Sequence, residues 1–417
     1  MANSRFEKSY SENAGMKFLL FLISPVLGFL GSVRNMNSRS SFIVFFLFSV
    51  LFGLCFITED AKSDQYSLDS AAYRYRFDQY KSYTNYDLLD FFDDFKAQYN
   101  DSGDRESRDL YVVTIAYLSS RISDNYHVFF AFLAAVMAIF QLLSLKFLVK
   151  ENAFGGTFIC LLIAFFFMRG NGIFNINSCR FWTASWVAIY CNFQIFRNGN
   201  KKYLLLALIT PLIHLSYWFY IIVLLLVLFT GSFLRFWKIA LFVSFVASSV
   251  AIQFISDMSS FLPANLQGMV EMYTNDIDTR SNLYQVLRRI FAVIEHGFLV
   301  YMMVLFMRSE KTILNDPHAK RVYQFLLVWL SVIFFFLPVP SLGERFLLLS
   351  MPMLAYLWLI VFESRGMYRN VIRFFPLFFI FSIYEEISVY LFWSVAPEFW
   401  VTSPLYLAYK YLFVATI

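Results

Sequence analysis

Arginines, one histidine and a pair of glutamates carry most of the chemistry that this sequence could perform. Arg169 and Arg180 bracket the loop Arg169-Gly-Asn-Gly-Ile-Phe-Asn-Ile-Asn-Ser-Cys-Arg180 between two apolar runs. Arg288-Arg289 open another run, and Arg345 follows Pro338-Val-Pro-Ser-Leu-Gly-Glu344 at the start of the next. A bare need for positive charge would accept lysine, whereas a planar fork that grips two oxygens of one anion requires arginine. These residue types point to a phosphate or diphosphate site. The amides that open the helix after Arg180 add positive potential, and Gly170 and Gly172 let backbone approach a ligand. The alternative is a set of interfacial arginines reaching lipid headgroups. Glu295 falls seven residues after Arg288, on the same helix face, so Arg288 and Arg289 are either a second clamp or half of an internal ion pair.

His214 sits in Leu-Ile-Thr-Pro-Leu-Ile-His214-Leu-Ser-Tyr-Trp, an otherwise apolar run, where an imidazole suits a general base. Glu385-Glu386 lie inside the last long apolar segment. Two adjacent carboxylates are costly there unless paired or protonated, so an ion pair with an arginine and acid/base work are both open. Asp69 and Tyr73 are four residues apart and share a helix face. A carboxylate that takes hydroxyl protons beside a ring that stacks on a pyranose suits a sugar site, although a solvated face would read the same way.

Composition fixes what must position these residues. Of 417 residues, 59% are hydrophobic, 21% aromatic and only 15% charged, and mean hydropathy is +0.58. The apolar residues form continuous runs, which excludes a soluble enzyme, a disordered chain, a coiled coil and an alternating outer-membrane barrel. The runs fall near 18–33, 41–57, 127–149, 153–168, 181–196, 203–229, 237–255, 290–307, 322–337, 346–362 and 374–396. They predict an all-α, polytopic membrane protein with about eleven or more helices. The expected organisation is N-terminal membrane helices over 1–57, an acidic segment over 58–126, a transmembrane core over 127–396 and an apolar tail over 397–417. The four cysteines form neither a CxxC nor a Cys/His cluster, and no phosphate-loop, dinucleotide or zinc-protease motif is present.

Charge assigns sides. Residues 58–126 hold 14 acidic against 8 basic residues, while the remainder holds 15 against 26. The acidic segment is free to lie outside, and the loops with Arg34/Arg39, Lys146/Lys150, Arg197/Lys201/Lys202, Arg308/Lys311/Lys320/Arg321 and Arg365/Arg369/Arg373 belong in the cytoplasm. The run 203–229 must then begin and end inside, because Arg235 and Lys238 follow it. A straight helix of that length spans about 40 Å, too long for one untilted crossing and too short for two. One tilted span, which would flip every later loop and put two basic loops outside, is the alternative; the favoured reading is a broken, re-entrant element bent near Pro211–Ser216. The cations left at the outer membrane face are then Arg169, Arg180, Arg280, Arg288, Arg289 and Arg345, with no lysine among them.

In order and spacing these features resemble the Wzy-type polysaccharide polymerases, most closely the EpsG-like branch. The features are an early Asp-x-x-x-Tyr (Asp69, Tyr73), an Arg opening a helix (Asn177-Ser-Cys-Arg180), a later His with Ser two residues on (His214, Ser216) and a further outer Arg (Arg345). Two positions depart from the family pattern: Cys55-Phe-Ile-Thr-Glu-Asp60 replaces a Gly-Thr-Asp run, and Phe181 replaces a glutamine. The resemblance implies a glycosyltransferase of the bacterial inner membrane with its site facing the periplasm. Its substrates would be undecaprenyl-diphosphate-linked oligosaccharide donor and acceptor, handled within the bilayer. A chain-length regulator is an implied partner, and no metal, other cofactor or nucleic acid is expected. In that chemistry Arg180, Arg169, Arg288, Arg289 and Arg345 hold the departing diphosphate. His214 is the first candidate base, with Glu385 or Glu386 the second. A transporter or flippase of lipid-linked glycans and an outer-face glycan ligase are the rival readings.

Overall fold

A computed structural model describes residues 13–58, 69–83, 87–100, 110–155, 157–170, 172–248, 257, 282–339, 342–362, 371–385 and 394–414. These residues are helical throughout, apart from turns and one isolated antiparallel bridge between Phe56 and Val395. The order begins α1 (Ala14–Ile23), α2 (Pro25–Val33) and α3 (Arg39–Leu54), followed by α4 (Asp69–Ser82), α5 (Leu88–Asn100) and α6 (Leu110–Ser120) from the acidic segment. It continues with α7 (Tyr126–Val149), α8 (Phe158–Met168), α9 (Cys179–Asn192), α10 (Leu204–Ala207), α11 (Thr210–Ile213), α12 (Tyr217–Thr230) and α13 (Leu234–Ala247). The last part holds α14 (Asn282–Arg308), α15 (Glu310–Asn315), α16 (Pro317–Phe336), α17 (Gly343–Leu347), α18 (Met351–Phe362), α19 (Phe375–Phe378), α20 (Ile380–Glu385) and α21 (Pro404–Tyr409).

Five helical stretches among the described residues are long and apolar enough to cross a membrane: Tyr126–Val149, Phe158–Arg197, Leu283–Arg308, Pro317–Phe336 and Gly343–Phe362. The apolar runs at 41–57 and 203–229 appear as shorter helices. The run 18–33 differs from the expected single helix. Ser24 adopts an extended backbone, its hydroxyl caps Val26 N–H at 3.2 Å, and Pro25 takes the first helical position. The two short helices fold back on each other. Lys17 at one end donates to the hydroxyls of Ser38, Ser40 and Ser41 at 2.6, 3.0 and 2.9 Å. Ser41 also reaches the Ser32 carbonyl at 2.9 Å, so both limbs finish beside the start of α3.

Ion pairs and ring contacts mark two ends of the bundle. Arg197 Nε donates to Glu151 Oε1 at 3.0 Å, and Tyr356 Oη joins the same oxygen at 3.1 Å. Glu151 precedes α8 and Arg197 closes the helical run after α9, so α8 and α9 form an antiparallel hairpin. Arg321 donates to the Phe196 carbonyl at 2.7 Å, and Lys238 pairs with Glu310 at 3.0 Å. This is the basic end. Lys146 lies 5.3 Å over the Phe42 ring, which sets α3 antiparallel to α7 with its start at the same end. The two helices approach so closely at Gly53 that an added Cβ would lie 2.5 Å from the Phe130 carbonyl oxygen.

The segment 203–230 is interrupted where the sequence places Pro211 and His214. His214 has φ −152° and ψ 122°, which ends α11 before α12 begins. Tyr203 near its start meets Tyr190, Tyr217 Oη donates to the Phe181 carbonyl at 3.1 Å, and Tyr220 Oη donates to Asn192 at 2.9 Å. Beyond α12, Trp237 Nε1 donates to the Thr230 carbonyl at 3.0 Å and Lys238 pairs with Glu310. Both limbs therefore return to the basic end, with His214–Ser216 at the apex beside Phe181.

Candidate active site

The opposite end gathers residues from four separate stretches. The loop before α9 tethers α4. Asn177 Oδ1 accepts the Ser70 N–H at 3.3 Å, and Ser178 Oγ donates to Asp69 Oδ2 at 2.9 Å. One turn along α4, Tyr73 Oη accepts from Arg180 Nε at 3.0 Å, and the guanidinium carbon stands 5.1 Å from the Tyr73 ring centre. Asp69 is exposed while Tyr73 is buried. Burial pushes the Tyr73 phenol well above its usual range, against the opposing pull of Arg180. Tyr73 is therefore a neutral partner, and its hydrogen bond leaves the positive charge of Arg180 in place.

Phe181 is the hub beside this pair. Its ring centre lies 5.4 Å from the His214 ring and 5.4 Å from the Phe346 ring, both edge to face. The Arg345 guanidinium sits 5.5 Å over the same ring. His214 Nδ1 accepts the Ser216 N–H at 3.3 Å and lies 2.8 Å from Ser216 Oγ. His214 and Arg345 thus share the Phe181 ring, and Arg180, the residue before it, binds Tyr73 on the helix that begins at Asp69.

The other arginines are held differently. Arg169 is 5% exposed; its Nη2 bonds Glu295 Oε2 at 3.0 Å and its guanidinium lies 4.3 Å over the Phe379 ring. Glu295 thus pairs with Arg169 and not with Arg288, seven residues before it. Arg288 instead reaches Glu344 Oε2 at 2.8 Å, and Arg289 is exposed on α14. Gly170, at φ +72°, permits the break after Arg169; a Cβ there would stand 2.6 Å from Leu348. The loop 169–178 therefore rests on the chain three residues beyond Arg345, and the two sets of arginines adjoin. Glu385 ends α20; its side chain, Glu386 and Arg280 lie outside the described residues. Among the described residues no three His, Cys, Asp or Glu side chains come together as a metal cluster.

Residues 43–397 match the EpsG family. The chain belongs to that family. The EpsG family is a Wzy-like polymerase family, which makes this a polysaccharide polymerase-like membrane protein. No curated protein and no solved structure matches the chain. In this EpsG-family chain, sequence reasoning did not assign Phe181, Asn177 or Ser178 to the site. Phe181 registers in sequence only as a departure from the family pattern. Asn177 and Ser178 carry a usable signal, because they sit in the loop that leads into Arg180. The pairing of Glu344 with Arg288 has no sequence signal, since 56 residues separate them.

Proposed function

We propose that this protein joins undecaprenyl-diphosphate-linked oligosaccharide repeat units at the periplasmic face of the bacterial inner membrane. The basic end faces the cytoplasm by the positive-inside rule, and the Phe181 end faces the periplasm. The apolar segments 18–33 and 203–229 dip into the bilayer and return, while the others cross it. The observation that carries the reading is the convergence of Arg345 and His214 on Phe181, next in the chain to Arg180, which binds Tyr73.

Transfer breaks the C1–O bond between the donor glycan and its lipid diphosphate, and the bonding pair leaves on the diphosphate oxygen. The acceptor hydroxyl oxygen forms the new C1–O bond and loses its proton. The guanidiniums of Arg180 and Arg345 stabilise the charge that grows on the leaving group. Asp69 supplies a carboxylate that binds the acceptor sugar and receives the hydroxyl proton, and the buried Tyr73 holds Arg180 beside it. Arg169 and Arg288, each matched to a carboxylate, position the loops that carry Arg180 and Arg345. The decisive experiment is the surface glycan profile of a deletion strain. Caps of a single repeat are the expected result; complete absence of surface sugar would transfer the protein to the flippase or ligase class.

A further inference from the structure

The apex of the broken element gives His214 a defined protonation pattern. The break takes the Ser216 N–H out of the helical ladder, and it donates to Nδ1 of His214 at 3.3 Å. A backbone N–H can only donate, so Nδ1 presents a lone pair and carries no proton. The ring proton is then on Nε2 and the imidazole is neutral. Ser216 Oγ lies 2.8 Å from the same nitrogen and completes its environment. The nitrogen with the lone pair thus faces its own chain. The ring plane is fixed edge-on by Phe181 at 5.4 Å, and the Arg345 guanidinium lies 5.5 Å over the same Phe181 ring.

We infer that His214 serves the diphosphate site as a neutral hydrogen-bond donor, through Nε2–H to an anionic oxygen held by Arg180 and Arg345, and not as the base that takes the acceptor proton. The backbone N–H of Ser216 is the group that sets the tautomer. The inference rests on the diphosphate reading above. In the transfer step the donor bond strengthens as the C1–O pair moves onto the leaving oxygen, and no proton passes to or from the ring. A third fixed cation beside two guanidiniums would add charge without direction, whereas a neutral N–H adds a directed contact.

Side-chain amides separate the two roles. The amide nitrogen of glutamine superposes on Nε2 and that of asparagine on Nδ1. His214→Gln is expected to retain polymerisation within about tenfold of wild type, and His214→Asn and His214→Ala to lose about 100-fold. Undecaprenyl diphosphate binding to the full chain in lipid nanodiscs reads the same contact without turnover. Wild type and His214→Gln should bind alike, with His214→Ala weaker. In ¹⁵N-histidine-labelled protein, the His214 Nδ1 should appear as the unprotonated nitrogen, and it should remain so in Ser216→Ala, which keeps the backbone N–H. A wild-type spectrum with the proton on Nδ1, or a His214→Gln variant as inert as His214→Ala while His214→Glu turns over, overturns the inference and leaves the polymerase reading intact. Tight diphosphate binding by wild type and His214→Gln without any polymer would instead sink the polymerase reading and leave the donor role standing.

Discussion

The two ends of the bundle use cations in opposite ways. At the basic end Arg197 meets Glu151, Lys238 meets Glu310, and Arg321 donates to backbone carbonyls. Those charges are answered by fixed anions or dipoles, and they tie helix ends together. Around Phe181 the Arg345 guanidinium rests on an aromatic face, and Arg180 has a neutral phenol and its ring among its contacts. Among the described residues Arg345 has no carboxylate partner. Rings hold a guanidinium in place without cancelling its charge, so the positive potential persists toward a ligand. Arg169 and Arg288 lie at the Phe181 end yet follow the basic-end pattern, each facing a glutamate. Proximity to the site therefore does not decide a residue's work; the nature of its partner does.

That contrast can be broken at graded positions. Arg169→Ala takes from the buried Glu295 the guanidinium it pairs with, and should cost about 3–5 kcal/mol of stability in thermal unfolding of the detergent-solubilised protein. Combining Arg169→Met with Glu295→Leu should recover most of that loss. A double variant as unstable as the single would show that the pair is not a closed unit. Arg180→Lys keeps the charge and removes the fork, and should lower polymer yield about 100-fold, roughly 2.7 kcal/mol, at unchanged protein level in the membrane. Normal chain length in that variant would refute a bidentate hold. Tyr73→Phe removes the phenol that positions Arg180, and should weaken turnover about tenfold. An unchanged rate would confine Tyr73 to packing. At the basic end Arg197→Lys should cost about 1 kcal/mol of stability, with glycan length unaltered on gels. Shortened chains there would erase the distinction between the two ends.

Much of this arrangement is legible in sequence because it is local. Arg180 announces itself by opening a helix after a glycine-bearing loop. The break at His214 follows from Pro211, an embedded histidine and basic residues on both flanks of a run too long for one span. The hairpin at 14–33 is hidden for a physical reason: hydropathy averages over a window, and Ser24-Pro25 barely lowers an apolar mean although it is a strong helix-start signal. Long-range pairing is illegible in principle. Arg169 and Glu295 are 126 residues apart, and the same Glu295 has an equally plausible partner seven residues upstream. Only packing chooses between them. Phe181 illustrates a further blind spot, since a phenylalanine among 53 gives no hint that it seats a cation and an imidazole.

The Lys17 ammonium has consequences for biogenesis. Its three hydroxyl acceptors lie on residues 38–41, more than twenty positions downstream. A nascent chain exposing only the first two short helices would have a lysine in its apolar hairpin and none of those oxygens to receive it. These two short helices are thus completed by residues synthesised after them, and they settle only when α3 has arrived to solvate the lysine.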